Sequence, residues 1–543
     1  MIAAGRLRPV PAWAAPAAHR PVPALPAGAA LLALAVAVAA LRAHALDAPL
    51  WMDEGISIGI ASHPLGAIPS VLSHDGSPPL YYLLLSLWMG VFGSSPTATH
   101  ALSLTFFALA VPAAVWAAWR PFGPMAGVLA GALVALDPFT VYYADDARMY
   151  TLVLLLAVLA TGSFVRAFVL RRRRHVGIFV VLLAALMYTH NWALFYAAAT
   201  GLAYLGLLAA GRDRRGLLRD GALAFGGAAL LFAPWLPTLA FQAAHTGAPW
   251  SSQPSEAALP RALTDIWSGK LPETVVLLVA GAGAIGLVRR EHRRATLALL
   301  AVAGLTLMLA FAWSQLSSPA WAVRYLMVVA APLVVVAGAG LARAGVLGVA
   351  TIGVALALSW HGHPSHAALM DKSNVAQIAG ALGPHLPDGS LVVTTQPEQV
   401  PALRYYLGAR VRYVTPLGVV SDPQVMDWRD ALARLRAARF ATVMPRLLRG
   451  LRAGARVLFV GPRFAAEGSA WSREIVLDTR RWRRALRRRL HVVADEQPTA
   501  RSGMSTLAGV VFATPAAGAA RDTARGSARA PRRRARSSRR AAR

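Results

Sequence analysis

The chain reads as a polytopic α-helical membrane protein carrying a small α/β domain after its last span. Three observations predict this. The sequence is 56% hydrophobic and only 15% charged, where a soluble domain carries about 25%. Apolar runs of about 20 residues, long enough to cross a bilayer, recur between residues 27 and 360. Beyond 360 the pattern changes to short β-type runs alternating with helical segments.

Residues 1–26 are rich in Pro, Ala and Arg (Arg6, Arg8, Arg20) and are expected to be a disordered cytoplasmic start. The transmembrane region is expected over 27–360, with a first span at 27–46. Residues 79–93 are apolar but reach only roughly 22 Å at the helical rise, short of a hydrocarbon core of about 30 Å, so they are assigned to a juxtamembrane helix. Spans then follow at 98–119, 122–140, 149–170, 176–190, 192–210, 221–239, 273–288, 295–313, 325–342 and 346–360. This count of eleven puts Arg120, Arg171 to Arg174, the arginines at 212–219 and those at 289–294 on one face, as the positive-inside bias requires. The opposite face then holds the loop 47–97 and the C-terminal region. The implied location is the inner (plasma) membrane, with that face extracytoplasmic.

In residues 361–513, SLVVTT (390–395), VRYVTP (411–416), RVLFVGP (456–462) and HVVAD (491–495) read as strands. The segments 397–408, 428–451 and 479–490 carry apolar residues at helical spacing. The alternation suggests a largely parallel sheet. No glycine-rich phosphate loop follows any strand, so the domain is assigned no chemistry. Residues 514–543 form a basic, disordered tail.

The net charge of +30 comes mostly from arginine clusters between spans and in that tail, so no nucleic-acid partner is inferred. Only Lys270 and Lys372 are lysines. The absence of cysteine excludes disulfides and thiolate metal sites.

The stretch from Trp51 to Tyr82 carries the densest polar signal: Asp53-Glu54, His74-Asp75 and Pro78-Pro79-Leu80-Tyr81-Tyr82. Carboxylates this close to lipid are costly and need a reason. The spans bring to the same face Asp145, Asp146, Arg148, His190, Arg324 and Tyr325. Each residue alone has a structural reading. Acidic residues cap helices, tyrosines belong at interface depth, and an arginine at a span end can snorkel. Together they suggest a carboxylate that takes a proton from an acceptor hydroxyl, with a second carboxylate orienting it or holding a metal. Arginine's planar fork suits a phosphate.

On these residues the sequence resembles the bacterial GT-C-fold glycosyltransferases of the protein O-mannosyltransferase and aminoarabinose-transferase type. The resemblance covers roughly 27–360. It rests on the acidic pair Asp53-Glu54, the stretch from His74 to Tyr82, Asp146 before Ala147-Arg148-Met149-Tyr150, Tyr188-Thr189-His190, and Arg324-Tyr325-Leu326. It implies an extracytoplasmic transferase using a polyprenyl-phosphate sugar donor with inversion. Asp53 would be the base, with Glu54 and Asp146 as further catalytic carboxylates. His74, Asp75, Tyr81, Tyr82, Asp145, Arg148, His190, Arg324 and Tyr325 would line the substrate. Some members hold a divalent metal near these carboxylates, here Asp53 and Asp146. No ligand spacing demands one, so the cofactor stays open. Lipid, polysaccharide and protein acceptors are all compatible. Many relatives have Glu where Asp146 stands. The competing reading is a transporter or flippase for a lipid-linked saccharide, whose charged positions belong near the bilayer midplane. Here they cluster at span ends.

Overall fold

The computed structural model describes residues 33, 35–40, 43, 46–211, 213–267, 271–288, 292–361, 371–438, 440–449, 451, 455–463, 468–498 and 506–514. The expected N-terminal segment, most of the first span and the basic tail beyond residue 514 lie outside these residues.

Proline and glycine place the helix ends. Pro79 precedes the helix Leu80–Phe92, which stops at Gly93 with φ 81°. At 13 residues it is too short to span, as expected for a juxtamembrane helix. The next helix, Pro96–Phe122, opens with Pro at its first position behind Ser95, whose hydroxyl accepts from Ala98 N at 3.2 Å; this is a standard N-terminal cap. Every later span expected from the sequence coincides with an apolar helix. Among the described residues, six helices are long and apolar enough to cross a membrane. The bent pair Pro124–Leu136 and Pro138–Asp145 makes seven, its 48° break falling where Pro138 removes a helix donor. Shorter apolar helices, Arg174–Met187, Thr274–Val288 and Val346–Ala355, pack beside them. The chain is a multi-pass membrane protein.

Tyr150–Val169 and Val323–Arg343 are the central helices, each with 83% of its most apolar window buried, whereas Arg214–His245 is 22% buried and peripheral. That helix runs past the expected span end at 239. With the helix Ala258–Ile266 it gives structure to the stretch between the spans expected at 221–239 and 273–288. Tyr150–Val169 begins beside Arg148 and ends at the arginine cluster. There Arg171 pairs with Asp213 at 2.8 Å and Arg173 with Asp220 at 2.9 Å. The polar stretch and the arginine cluster therefore sit at opposite ends of one span.

The C-terminal domain holds a six-stranded sheet in the order β3-β2-β1-β4-β6-β5. The strands are β1 Leu391–Thr394, β2 Arg412–Thr415, β3 Gly418–Val419, β4 Arg456–Pro462, β5 His491–Glu496 and β6 Leu507–Ala513. The expected largely parallel sheet is corrected here. Only β1–β2 and β1–β4 are parallel; β2–β3, β4–β6 and β5–β6 are antiparallel. Two of these involve β6, an unbroken apolar run not read as a strand, which pairs antiparallel between β4 and β5; the third joins β2 to the two-residue β3. The central strands are buried on both faces, as expected where helices cover both sides of a sheet. Val392 and Leu458 pack against Val375–Leu382 and Val400–Leu407. Val393 and Phe459 face Met444, Trp482 and Leu486.

This domain clamps the helix Met52–Ala61. The Tyr406 hydroxyl accepts from Leu50 N at 2.8 Å, and His63 Nε2 meets Asp422 Oδ2 at 2.9 Å. Two glycines permit the approach: a Cβ on Gly55 would lie 2.6 Å from Ala402 N, and one on Gly59 only 1.9 Å from Gln424 O. Backbone cannot yield as a side-chain tip can. Gly59→Val is therefore expected to cost about 1–3 kcal/mol and to speed tryptic cleavage within 371–513 in detergent. An unchanged digestion rate would show that the domain does not seat there.

Candidate active site

The helix Met52–Ala61 carries the acidic pair, and its geometry separates the two carboxylates. Consecutive residues point about 100° apart around a helix, so Asp53 and Glu54 cannot share one site. Glu54 turns into the protein and is fully buried. Its Oε2 accepts from Trp51 N at 3.0 Å, capping the helix start. Its Oε1 takes His100 Nε2 at 2.6 Å, Ala147 N at 3.0 Å and Lys372 Nζ at 3.0 Å. Burial pushes this carboxyl up, but Lys372 and then His100 override it and hold it well below the usual carboxylate range.

Asp146 lies beside this cluster. Its Oδ1 accepts from Trp51 Nε1 at 2.9 Å and stands 4.0 Å from Lys372 Nζ. Burial, and then the charge of Glu54, pushes its carboxyl up to about 7. Lys372 also donates to the backbone carbonyl of Asp145. One ammonium from the start of the α/β domain thus ties Glu54 to Asp146 and to the loop before Arg148.

Asp53 faces the other way, into a cavity of about 520 Å³. Its Oδ2 lies 3.9 Å from Arg324 Nη2 and 4.0 Å from Arg148 Nη2. Arg148 is steered by Ser57, whose hydroxyl accepts from Nη1 at 3.0 Å. Arg324 lies over the Trp250 ring at 4.6 Å and near the Tyr325 ring at 5.5 Å. The Nε of each arginine is buried with no hydrogen-bond partner among the described residues. Two guanidiniums with these unpartnered Nε donors, side by side next to Asp53, offer the paired forks that suit an anion.

Asp75, His190 and Tyr325 complete this wall. Burial pushes the Asp75 carboxyl up, and Tyr82 donates to it at 3.5 Å. Burial, then Arg148 and Arg324, drives His190 down to about 3, so its ring is neutral at ordinary pH; its Nδ1 accepts from Trp192 N at 3.1 Å. The loop before Pro78 is held by Asn191 Nδ2 on Gly76 O at 3.0 Å and Gln242 Nε2 on Leu72 O at 2.9 Å.

Of the residues singled out in the sequence, Asp53, Asp75, Arg148, His190, Arg324 and Tyr325 line one cavity. Glu54, Asp145 and Asp146 stand behind it in the Lys372 cluster. Tyr81 and Tyr82 are buried behind the wall. His74 is turned toward the α/β domain, its carbonyl accepting from Trp428 N at 2.8 Å. Asp53 stands beside two guanidiniums and Asp146 beside an ammonium. Among the described residues no group of three His, Cys, Asp or Glu is placed to hold a metal. Sequence reading missed Lys372, His100, Trp250, Trp428 and Glu398. For Lys372 a signal existed, since it is one of only two lysines in a chain that otherwise uses arginine.

The arrangement of apolar spans, a carboxylate-bearing juxtamembrane helix and an α/β domain seated on it is the GT-C fold. The chain is similar to ArnT from Cupriavidus metallidurans. Against its apo crystal structure the TM-score is 0.62 at 16% identity, covering 90% of this chain and 98% of that one. Against ArnT bound to undecaprenyl phosphate the TM-score is 0.59 at 15% identity, covering 91% and 99%. No protein-family model matches the sequence, and no curated protein matches it.

Removing one partner of a buried ion pair strands the other. Lys372→Met is expected to destabilise the protein by about 3–5 kcal/mol, and adding Glu54→Gln should recover part of the loss. A double variant showing the full sum of both single losses would break the coupling. A raised folded-state carboxyl favours folding below its ordinary value of 3.8, and that contribution is lost as pH rises through about 7. Relative to Asp146→Asn, which keeps an acceptor for Trp51, the wild-type melting temperature should fall as pH rises from about 4 to about 7 and level off above that. A constant difference across that range would refute the assignment.

Proposed function

We propose that the protein is an integral-membrane glycosyltransferase that moves a sugar from a polyprenyl-phosphate donor to an acceptor hydroxyl, with inversion. The observation that carries this is Asp53 at the wall of a cavity, within about 4 Å of both Arg148 and Arg324. The lipid tail of such a donor is too apolar for water, while its sugar and phosphate are too polar for lipid. A cavity at the ends of several spans meets both needs.

In this reading Arg148 and Arg324 take the donor phosphate, which frees the Asp53 carboxylate to face the acceptor. The acceptor oxygen attacks the anomeric carbon from the side opposite the phosphate. Its proton passes to Asp53. The bond from the anomeric carbon to the phosphate oxygen breaks, and the electron pair stays on the phosphate. Fixed guanidiniums stabilise that growing charge without reorganising. Neutral His190 packs against Tyr325 with ring centres 4.6 Å apart. Glu54, Asp146 and Lys372 hold the helix that presents Asp53. The arginine clusters at the opposite span ends favour an extracytoplasmic site in the plasma membrane.

Comparison of a deletion strain with its complemented parent should identify a glycoconjugate that lacks one sugar. Asp53→Asn is expected to lower transfer by about 10²–10⁴-fold at unchanged expression. Arg324→Ala should weaken binding of undecaprenyl phosphate to the purified protein by about tenfold or more. Full transfer by Asp53→Asn would remove this mechanism, and a lipid-linked saccharide stranded on one leaflet would favour a flippase.

A further inference from the structure

The α/β domain carried no expected chemistry, yet it supplies part of the cavity wall through Glu398 and Trp428. Glu398 sits in the turn Pro397–Gln399, which packs beneath Met52 through the amide nitrogens of Gln396 and Gln399, at 3.6 and 3.5 Å from its sulfur. The side chain is only 5% exposed. Its Oε1 is used, accepting from Trp471 Nε1 at 3.0 Å and Gln396 Nε2 at 3.2 Å. Its Oε2 is buried with no hydrogen-bond partner among the described residues. Leaving such an atom unpaired costs about 1–3 kcal/mol, a cost that makes sense where a ligand supplies the partner. Trp428, packed against Trp471 with ring centres 5.5 Å apart, adds an indole on the same wall.

We infer that Glu398 and Trp428 form the acceptor subsite, and that it takes a glycan: Glu398 Oε2 pairs with a sugar hydroxyl while Trp428 packs against the apolar face of the ring. The inference rests on the transferase reading and adds a substrate class to it. A hydroxyl both donates and accepts, as a carboxyl can. Burial pushes the Glu398 carboxyl up, against the hydrogen bonds from Trp471 and Gln396. The geometry also divides the labour. The spans hold the anion through Arg148 and Arg324, and the α/β domain holds the acceptor across from Asp53.

The test uses full-length protein, a lipid extract of the deletion strain as donor source, and cell envelopes of the same strain as acceptor source. Glu398→Met should raise the envelope concentration giving half-maximal transfer by about tenfold or more. The half-saturating amount of lipid extract and the affinity for undecaprenyl phosphate should stay within about twofold. Trp471→Phe removes the Trp471–Glu398 bond but leaves Oε2 in place, and should leave all three values near wild type. If Glu398→Met does not fold, Trp428→Leu should give the same acceptor-selective shift. An equal effect of Trp471→Phe would reduce Glu398 to a structural role. Weakened donor binding, or a missing sugar that belongs to a protein rather than a glycan, would also overturn the inference. If wild-type protein neither binds undecaprenyl phosphate nor restores the glycoconjugate, the transferase reading itself fails, which is a separate result.

Discussion

The buried carboxylate of Glu54 is the constraint on which the rest depends. An ionised group removed from water is tolerated only when its lone pairs are filled and its charge is matched. Four donors meet it: Trp51 N, His100, Ala147 N and Lys372. They come from the start of the juxtamembrane helix, a span, the loop before Arg148 and the start of the α/β domain. Satisfying one carboxylate thus sets four segments in register. Asp53 inherits its position from that registration, being the residue immediately before Glu54 on the same helix.

The acidic pair shows how helix geometry divides labour. One residue turned inward becomes a fully paired structural ion, and its neighbour, rotated about 100°, becomes an accessible one. Three positive groups are distributed accordingly. Lys372, a compact ammonium with three donors, suits the crowded interior cluster. Arg148 and Arg324, with planar forks and spare donors, stand at the cavity. The charges close to lipid are thus either matched by a partner or left facing a site.

The α/β domain is more than an appendage. Backbone contacts at Gly55 and Gly59 seat it directly on the helix that carries Asp53. Glu398, in its turn Pro397–Gln399, then becomes part of the wall of the same cavity. A change in how this domain seats would move both the base and the wall facing it. The Lys372 ion pairs and the glycine contacts restrain the same motion from two sides.

The membrane class, the spans from 98 onward, the short helix after Pro79 and four of the strands were legible in the sequence. Each follows from local physics: apolar length, proline at a first turn, and β-branched runs. Asp53, Arg148 and Arg324 were legible as a group, because positive-inside counting places their span ends on one face. The mixed order of the sheet was not legible, since the direction in which β6 pairs depends on partners remote in sequence. Nor was the division between Asp53 and Glu54. Lys372 lies 318 residues from Glu54, and no spacing rule reaches that far. The sequence by itself determined what crosses the membrane and which charges gather at one end. Only the tertiary structure decided which of those charges are buried and paired and which face the cavity, because desolvation and pairing are properties of the packed neighbourhood and not of the residue.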